Sequence, residues 1–314
     1  MLRRMLLWLS EQPRVFRFVR RNRLARSMAS RFVAGETLDD ALASVRALNA
    51  KGISATLDLL GESVHSEVEA RGAERTYLDL LDSLHEHALD GNVSLKLTAM
   101  GLDVGEDLCV TIMQEILDRA AKYGSFVRLD MESSEYTERT LQLFEHRLYP
   151  GYRQHVGIVL QSYLRRTAAD VERAIELGCR VRLCKGAYLE PPSVAFPDKS
   201  DVDASYVRLM QRLMKDGNYP GLATHDERII AEARRFATAE SISPDRFEFQ
   251  MLYGIRRDLQ DQLVRDGYRV RVYVPFGTHW YPYLMRRLAE RPANLAFMTG
   301  NVVKELLPGS SKKI

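Results

Sequence analysis

Cysteine is scarce in this chain of 314 residues, with only Cys109, Cys179 and Cys184 present. Three scattered thiols cannot build a disulfide framework or a cysteine-rich zinc site, and an odd count fits a reducing, cytoplasmic compartment. Long apolar runs are missing as well. The longest near the amino terminus, Met5 to Leu9, falls far short of the roughly 20 residues that a membrane-spanning helix needs. Charge of one sign is not in excess, since 45 Lys and Arg against 42 Asp and Glu leave +3. The body therefore has no global field that would make nucleic acid its partner. The histidines form no HExxH, and His85 and His87 flank Glu86 at a spacing that sends them to different helix faces, so no protein metal site is expected. No GxSxG elbow and no Cys–His pair in motif spacing points to acyl transfer. GxGxxG and GxxxxGK[ST] loops are absent too, and with them the phosphate-binding signatures of the common open-sheet nucleotide folds.

The composition that remains, 46% hydrophobic and 28% charged, is that of an ordinary globular protein. Charge is nonetheless uneven along it. Gln12 to Gly35 has no acidic residue, while Arg14, Arg17, Arg20, Arg21, Arg23, Arg26 and Arg31 are interleaved with Val15, Phe16, Phe18, Val19 and Phe32. Such a stretch suits a membrane-surface arm, a transit peptide or an amphipathic helix packed on the body, the last being the commonest outcome. The first 50 residues read as helical. Thr37 and Asp40 stand in capping-box spacing before Leu38, Ala41, Leu42, Val45 and Leu48, and Gly52 is a stop signal.

From there the pattern changes to short apolar runs separated by amphipathic stretches. The runs are Ile53 to Leu60, Val93 to Met100, Phe126 to Met131, Val156 to Tyr163, Val181 to Tyr188, Leu222 to His225, Phe247 to Tyr253 and Val270 to Pro275. Their centres lie about 30 residues apart, the length of a strand, a helix and two loops. Eight such units favour an α/β fold of the (β/α)8 TIM-barrel type over an open doubly wound sheet. The expected division is a helical arm over residues 1–50, a catalytic barrel over 51–307 and a disordered tail over 308–314.

Strands of a parallel barrel are buried on both faces, so a polar residue inside one costs free energy unless it has a partner or a task. Here nearly every run carries one: Asp58, Lys96, Asp130 with Glu132, Gln161, Arg182 with Lys185, Thr224 with His225 and Asp226, Gln250, and Tyr273. Any of them alone reads most simply as half of an internal ion pair or as a satisfied core residue. Most, however, lie at or past the strand middle, towards the carboxyl ends where barrel active sites are assembled. The strand cations Lys96, Arg182 and Lys185 call for an anionic ligand, a carboxylate or a cofactor phosphate. Arg286 and Arg287 add to them, in an aromatic-rich segment, YVPFGTHWYPYLMRRLAERPAN, after the last run.

The segments SLKLTA, LDME, LQSYL, RLCKGAY, ATHD, EFQMLYG, VYVPFG and YLMRRLAERPAN, in this order, resemble proline dehydrogenase, the flavin enzyme family that oxidises L-proline. The resemblance runs from about Gly52 to Met298, and is to the single-activity bacterial type, 314 residues leaving no room for an aldehyde dehydrogenase module. It implies FAD held noncovalently across the barrel mouth by Met131, Gln161, Arg182, Lys185, Gly186, Ala187, Thr224 and His225, with Arg182 beside the reactive ring. It implies that Lys96, Arg286 and Arg287 bind the proline carboxylate. Tyr273 and Tyr283 would shape the pocket, with Tyr188 and Leu183 nearby, and Asp130 and Arg182 would be the catalytic pair. The last helix would lie over the mouth, a membrane quinone would take the electrons, and the protein would be peripheral to the inner face of the membrane. Leu189 departs from the pattern, standing where some relatives carry Trp. Two rivals remain at this level. One is a Schiff-base aldolase using Lys96 or Lys185 as nucleophile. The other is an interaction protein that docks through its basic arm.

Overall fold

The computed structural model describes residues 30–61 and 64–290, apart from the side chains of residues 286 and 288–290. The basic stretch up to residue 29, the tail over 308–314 and the side chain of Arg286 lie outside the described residues. Eight parallel strands close into one barrel in sequence order: β1 Ser54–Leu59, β2 Gly91–Leu95, β3 Val127–Leu129, β4 Val156–Gln161, β5 Arg180–Cys184, β6 Gly221–Ala223, β7 Glu248–Leu252 and β8 Val270–Phe276. Closure pairs β8 with β1 from Ser54 opposite Arg271 to Leu59 opposite Phe276.

Each expected run holds a strand, but the run Val93 to Met100 does not stay extended. β2 ends at Leu95, and Leu97–Met100 winds into a 3-10 turn closed by Gly101 in the left-handed region at φ 84°. Lys96 is the extended residue between the two, which brings its side chain to the barrel's carboxyl-terminal end.

Helix α1, Leu38–Asn49, begins with the expected capping box. Asp40 N–H donates to the Thr37 hydroxyl while the Asp40 carboxylate accepts from the Thr37 backbone. Its buried face, Ala41, Leu42, Val45 and Leu48, packs on β1 and β8. α1 thus fills the groove between those strands that a barrel's last helix would otherwise cover. The wall continues with α2 Glu67–Glu86, α3 Glu106–Lys122, α4 Ser134–Leu143, the short α5 Tyr149–Tyr152, α6 Thr167–Leu177, α7 Lys199–Asp216, α8 Glu227–Ala239 and α9 Arg257–Arg265. α3 shows the rule for these helices, burying Cys109, Ile112, Met113, Ile116, Leu117 and Ala120 at helical spacing against the sheet. The last helix, α10 Trp280–Glu290, starts just past the carboxyl end of β8 and buries Trp280, Tyr281, Tyr283, Leu284 and Met285. Trp280 Nε1 donates to Glu36 at 3.0 Å, tying α10 to the segment that leads into α1.

Candidate functional site

Barrel interiors are usually layered with Val, Ile and Leu; the middle of this one is polar. Side chains on one face of a strand recur at every second position, and the pairs Arg128 and Asp130, Arg180 and Arg182, Glu248 and Gln250, and Arg271 and Tyr273 follow that period on β3, β5, β7 and β8. The register sets Thr56 opposite Tyr273, Ser94 opposite Arg128 and Gln250 opposite Arg271.

Arg182 stands at the centre and is 6% exposed. Its Nη1 donates to Asp130 Oδ1 at 2.7 Å and to Ser94 Oγ at 3.1 Å, and its Nε donates to Gln250 Oε1 at 2.5 Å. Ser94 Oγ donates in turn to Asp130 Oδ1 at 2.6 Å, and the Tyr273 hydroxyl to Asp130 Oδ2 at 2.8 Å. The guanidinium also lies 5.3 Å from the centre of the Tyr273 ring. Burial first, and the Asp130 charge second, push the Tyr273 phenol well above its ordinary range, so it stays a donor. Among the described residues Nη2 of Arg182 makes no hydrogen bond, and unlike Gln161 Oε1 it is not sealed off from open space, so this edge of the guanidinium can still donate to a ligand.

Lys96 and Asp58 occupy the same end of β2 and β1, with Nζ 3.7 Å from Oδ1 and both side chains largely buried. Tyr283 is buried in α10, and the half-buried Arg287 lies 5.3 Å over its ring. The backbone of Arg286 falls in the same helix.

A second set follows β4, β5 and β6. Lys185 meets Asp203 of α7 at 2.5 Å and Asp226, the residue capping α8, at 3.0 Å. Burial alone would raise both carboxyls, but Lys185, with help from Lys199 and, at Asp226, from the Arg228 N–H, outweighs it and holds them below the usual range. His225 Nε2 accepts the Leu252 N–H at 2.9 Å, which makes that nitrogen an acceptor and links β6 to β7. Thr224 is buried, its hydroxyl accepting from the Asp226 N–H at 3.1 Å. Met131 is buried just past β3. Gln161, 3% exposed, donates Nε2 to the Glu132 carbonyl at 3.2 Å, whereas its Oε1 is buried with no hydrogen-bond partner among the described residues. Gly186 holds φ +101°, and a Cβ there would sit 2.2 Å from the Tyr163 ring. Only glycine lets the chain turn and lie against that ring. The partly exposed Ala187 follows it.

The loop after β5 is strapped down beyond these residues. Glu190 accepts from Ser134 N–H at 2.7 Å and from the Ser134 hydroxyl at 2.5 Å, supplying a carboxylate to the amino terminus of α4. The Tyr163 hydroxyl adds a contact to Glu190 at 3.5 Å, and Leu164 and Ala195 form a backbone bridge. Sequence reasoning missed Ser94, Glu248, Asp203 and Glu190. For the first two a signal existed, since each stands two residues before an identified strand residue, Lys96 or Gln250, and so on the same face. Asp203 and Glu190 lie on a helix and a loop, where nothing local marks them. Among the described residues no group of three or more His, Cys, Asp or Glu could hold a metal ion.

Comparisons with known proteins bear on the family and the fold. The profile of the family described as proline dehydrogenase matches residues 41–300. A proline dehydrogenase of Deinococcus radiodurans is 44% identical over 305 residues, covering 96% of this chain and 98% of the relative. Proline dehydrogenase 1 of Bacillus subtilis strain 168 is 42% identical, covering 97% of this chain and all of the relative. Among solved structures, proline utilization A from Bdellovibrio bacteriovorus, inactivated by N-propargylglycine, superimposes with a TM-score of 0.80 at 28% identity, over 90% of this chain and 34% of the larger one. With a closed eight-stranded barrel, near-full-length relatives of the single-activity kind and a matching family profile, this chain belongs to the proline dehydrogenase family of oxidoreductases.

Proposed function

We propose that the chain oxidises L-proline to 1-pyrroline-5-carboxylate, using a noncovalently bound FAD and passing the electrons to a membrane quinone. The observation that carries this reading is Arg182, a buried guanidinium locked on two sides by Gln250, Ser94 and Asp130, with Nη2 left uncommitted among the described residues. FAD, when bound, supplies the hydride acceptor. The residues fit such a group. The buried Oε1 of Gln161 asks for a donor, and Gly186 keeps the strand-to-loop turn free of a side chain. Met131, Gln161, Lys185, Gly186, Ala187, Thr224 and His225 would hold the cofactor.

Lys96, Arg286 and Arg287 grip the substrate carboxylate, fixing the ring so that the carbon beside its nitrogen faces the acceptor. Tyr273 and Tyr283 shape the space around that ring. Asp130 keeps Arg182 and Tyr273 in place, and Arg182 offers a fixed positive charge that stabilises negative charge developing at the mouth. The amine reaches its neutral, electron-donating form by losing a proton to water. A Schiff-base mechanism is disfavoured by the same contacts, because Lys185 faces Asp203 and Asp226 while Lys96 faces Asp58. A neutral amine nucleophile needs the opposite surroundings. Delivery of electrons to a quinone would bring the protein to the inner face of the membrane as a peripheral visitor. No described helix is long and apolar enough to cross one.

Anaerobic addition of L-proline to the purified protein tests the reading. Loss of the oxidised-flavin absorbance with formation of the cyclic imine supports it. A protein that carries no flavin, or one that borohydride traps covalently with a carbonyl substrate, contradicts it.

A further inference from the structure

Arg182 is gripped from the barrel interior through two residues to which the reaction assigns no part. Gln250 Oε1 accepts from Nε of Arg182 at 2.5 Å, while Gln250 Nε2 donates to Glu248 Oε1 at 2.6 Å. A carboxylate only accepts and a guanidinium only donates, so one orientation of the amide satisfies both neighbours. Turned over, the amide would set its NH2 against Nε–H and its oxygen against the carboxylate. Glu248 is itself fixed. Arg271 Nε donates to its Oε1 at 2.9 Å and the Tyr219 hydroxyl to its Oε2 at 3.2 Å, and Arg271 Nη1 is tied to the Ala55 carbonyl at 2.8 Å.

The packing reserves space for this arrangement. Gly221 is in register with both Arg182 and Glu248. A Cβ at that position would come within 2.4 Å of Gln250 Nε2, so the missing side chain is the room in which the amide sits. Arg182, Glu248 and Gln250 are each at most 6% exposed. Water is therefore poorly placed to substitute for a lost bond, and each bond in the chain constrains the next.

We propose that Gln250 is a positioning residue for Arg182 and that Glu248 sets the orientation of Gln250. The carboxylate fixes the amide, the amide occupies Nε, and the guanidinium is turned so that Nη2 serves the mouth. This rests on the role of Arg182 proposed above.

The test uses holoenzyme variants and three readouts. One is the dissociation constant of sulfite, whose flavin adduct is favoured by nearby positive charge and is read by absorbance. The others are the rate constant of anaerobic flavin reduction at saturating L-proline and the dissociation constant of a proline analogue. Gln250→Met keeps the length of the side chain and removes both hydrogen bonds. It is expected to weaken sulfite binding and slow reduction by about tenfold each, the size of one charge-assisted hydrogen bond, with analogue affinity held within about twofold. Glu248→Gln puts a neutral acceptor in place of the carboxylate that holds the amide, and is expected to cost about threefold in both readouts, a loss that disappears when Gln250 is already Met because the two residues act as one chain. Two results would overturn the proposal. One is a folded, flavin-loaded Gln250→Met with both readouts unchanged; the other is a Glu248→Gln loss as large in the Gln250→Met background as in the parent. If Arg182→Met itself leaves sulfite binding and reduction intact, the role assigned to Arg182 is what fails, and the two failures are thereby told apart.

Discussion

Tyr273 and Arg182 share one carboxylate: the phenol donates to Oδ2 of Asp130 at 2.8 Å while the guanidinium takes Oδ1 at 2.7 Å. Asp130 thus fixes both groups at once, and removing any member leaves a buried partner short. Tyr273→Phe keeps the ring and loses the hydroxyl, which should cost about 1 to 2 kcal/mol in transition-state stabilisation, or roughly ten-fold in kcat/KM. Tyr273→Ser empties the ring's volume, so the ratio of kcat/KM for 4-hydroxyproline over proline should rise. A serine variant that loses proline activity with no relative gain for the hydroxylated ring would remove Tyr273 from the pocket wall.

Alkaline pH probes the buried phenols. Tyr77, Tyr206 and Tyr273 are all held well above their ordinary value, burial being the leading cause in each. In the unfolded chain they ionise near pH 10, about the free value. The folded state then holds more protons than the unfolded state, and stability falls as pH rises. Their contribution is complete below about pH 10 and is lost above it, at up to roughly 1.4 kcal/mol per pH unit for each phenol. Urea denaturation between pH 8 and 11 should show a flat limb and then a decline steeper than one group can give. In Tyr273→Phe the slope should lessen by about one group's share; an unchanged slope would mean that Tyr273 is not shielded.

Much of the fold was legible because parallel barrel strands are buried on both faces and stand out as short apolar runs. The polar interruptions marked the carboxyl-terminal mouth. What the runs could not show is where a strand stops, as at Lys96, where the backbone turns although the side chains stay apolar. The partners were also hidden. Ser94 looks like an ordinary strand serine until β3 and β5 bring Asp130 and Arg182 to its hydroxyl. Glu190 reaches a helix end 56 residues away. The polar residues two positions apart on β3, β5, β7 and β8 were the available clue to an interior that is charged rather than aliphatic.

Glu190 offers a separate check on the loop after β5. Its carboxylate takes the Ser134 N–H at the start of α4 and the Ser134 hydroxyl. Glu190→Ala should lower stability by about 1 to 2 kcal/mol in urea unfolding, as the loss of a helix cap does. It should also free the segment carrying Lys185, Gly186 and Ala187, so FAD should leave the diluted enzyme faster than from the parent. A variant less stable yet equally retentive of flavin would separate the strap from the cofactor.

In the proposed reaction cations read a carboxylate, and a ring nitrogen's lone pair drives hydride departure. Tetrahydrofuran-2-carboxylate keeps the carboxylate and replaces NH by an ether oxygen, a far poorer electron donor, so binding and turnover come apart. Titrated against the flavin absorbance of the anaerobic enzyme, it should perturb the spectrum without bleaching it and compete with L-proline. In Lys96→Met and Arg287→Met its affinity should fall in parallel with that for proline by about ten- to a hundred-fold, the worth of one charge-assisted contact. Rapid bleaching by the ether, or binding indifferent to both cations, would contradict the proposed chemistry.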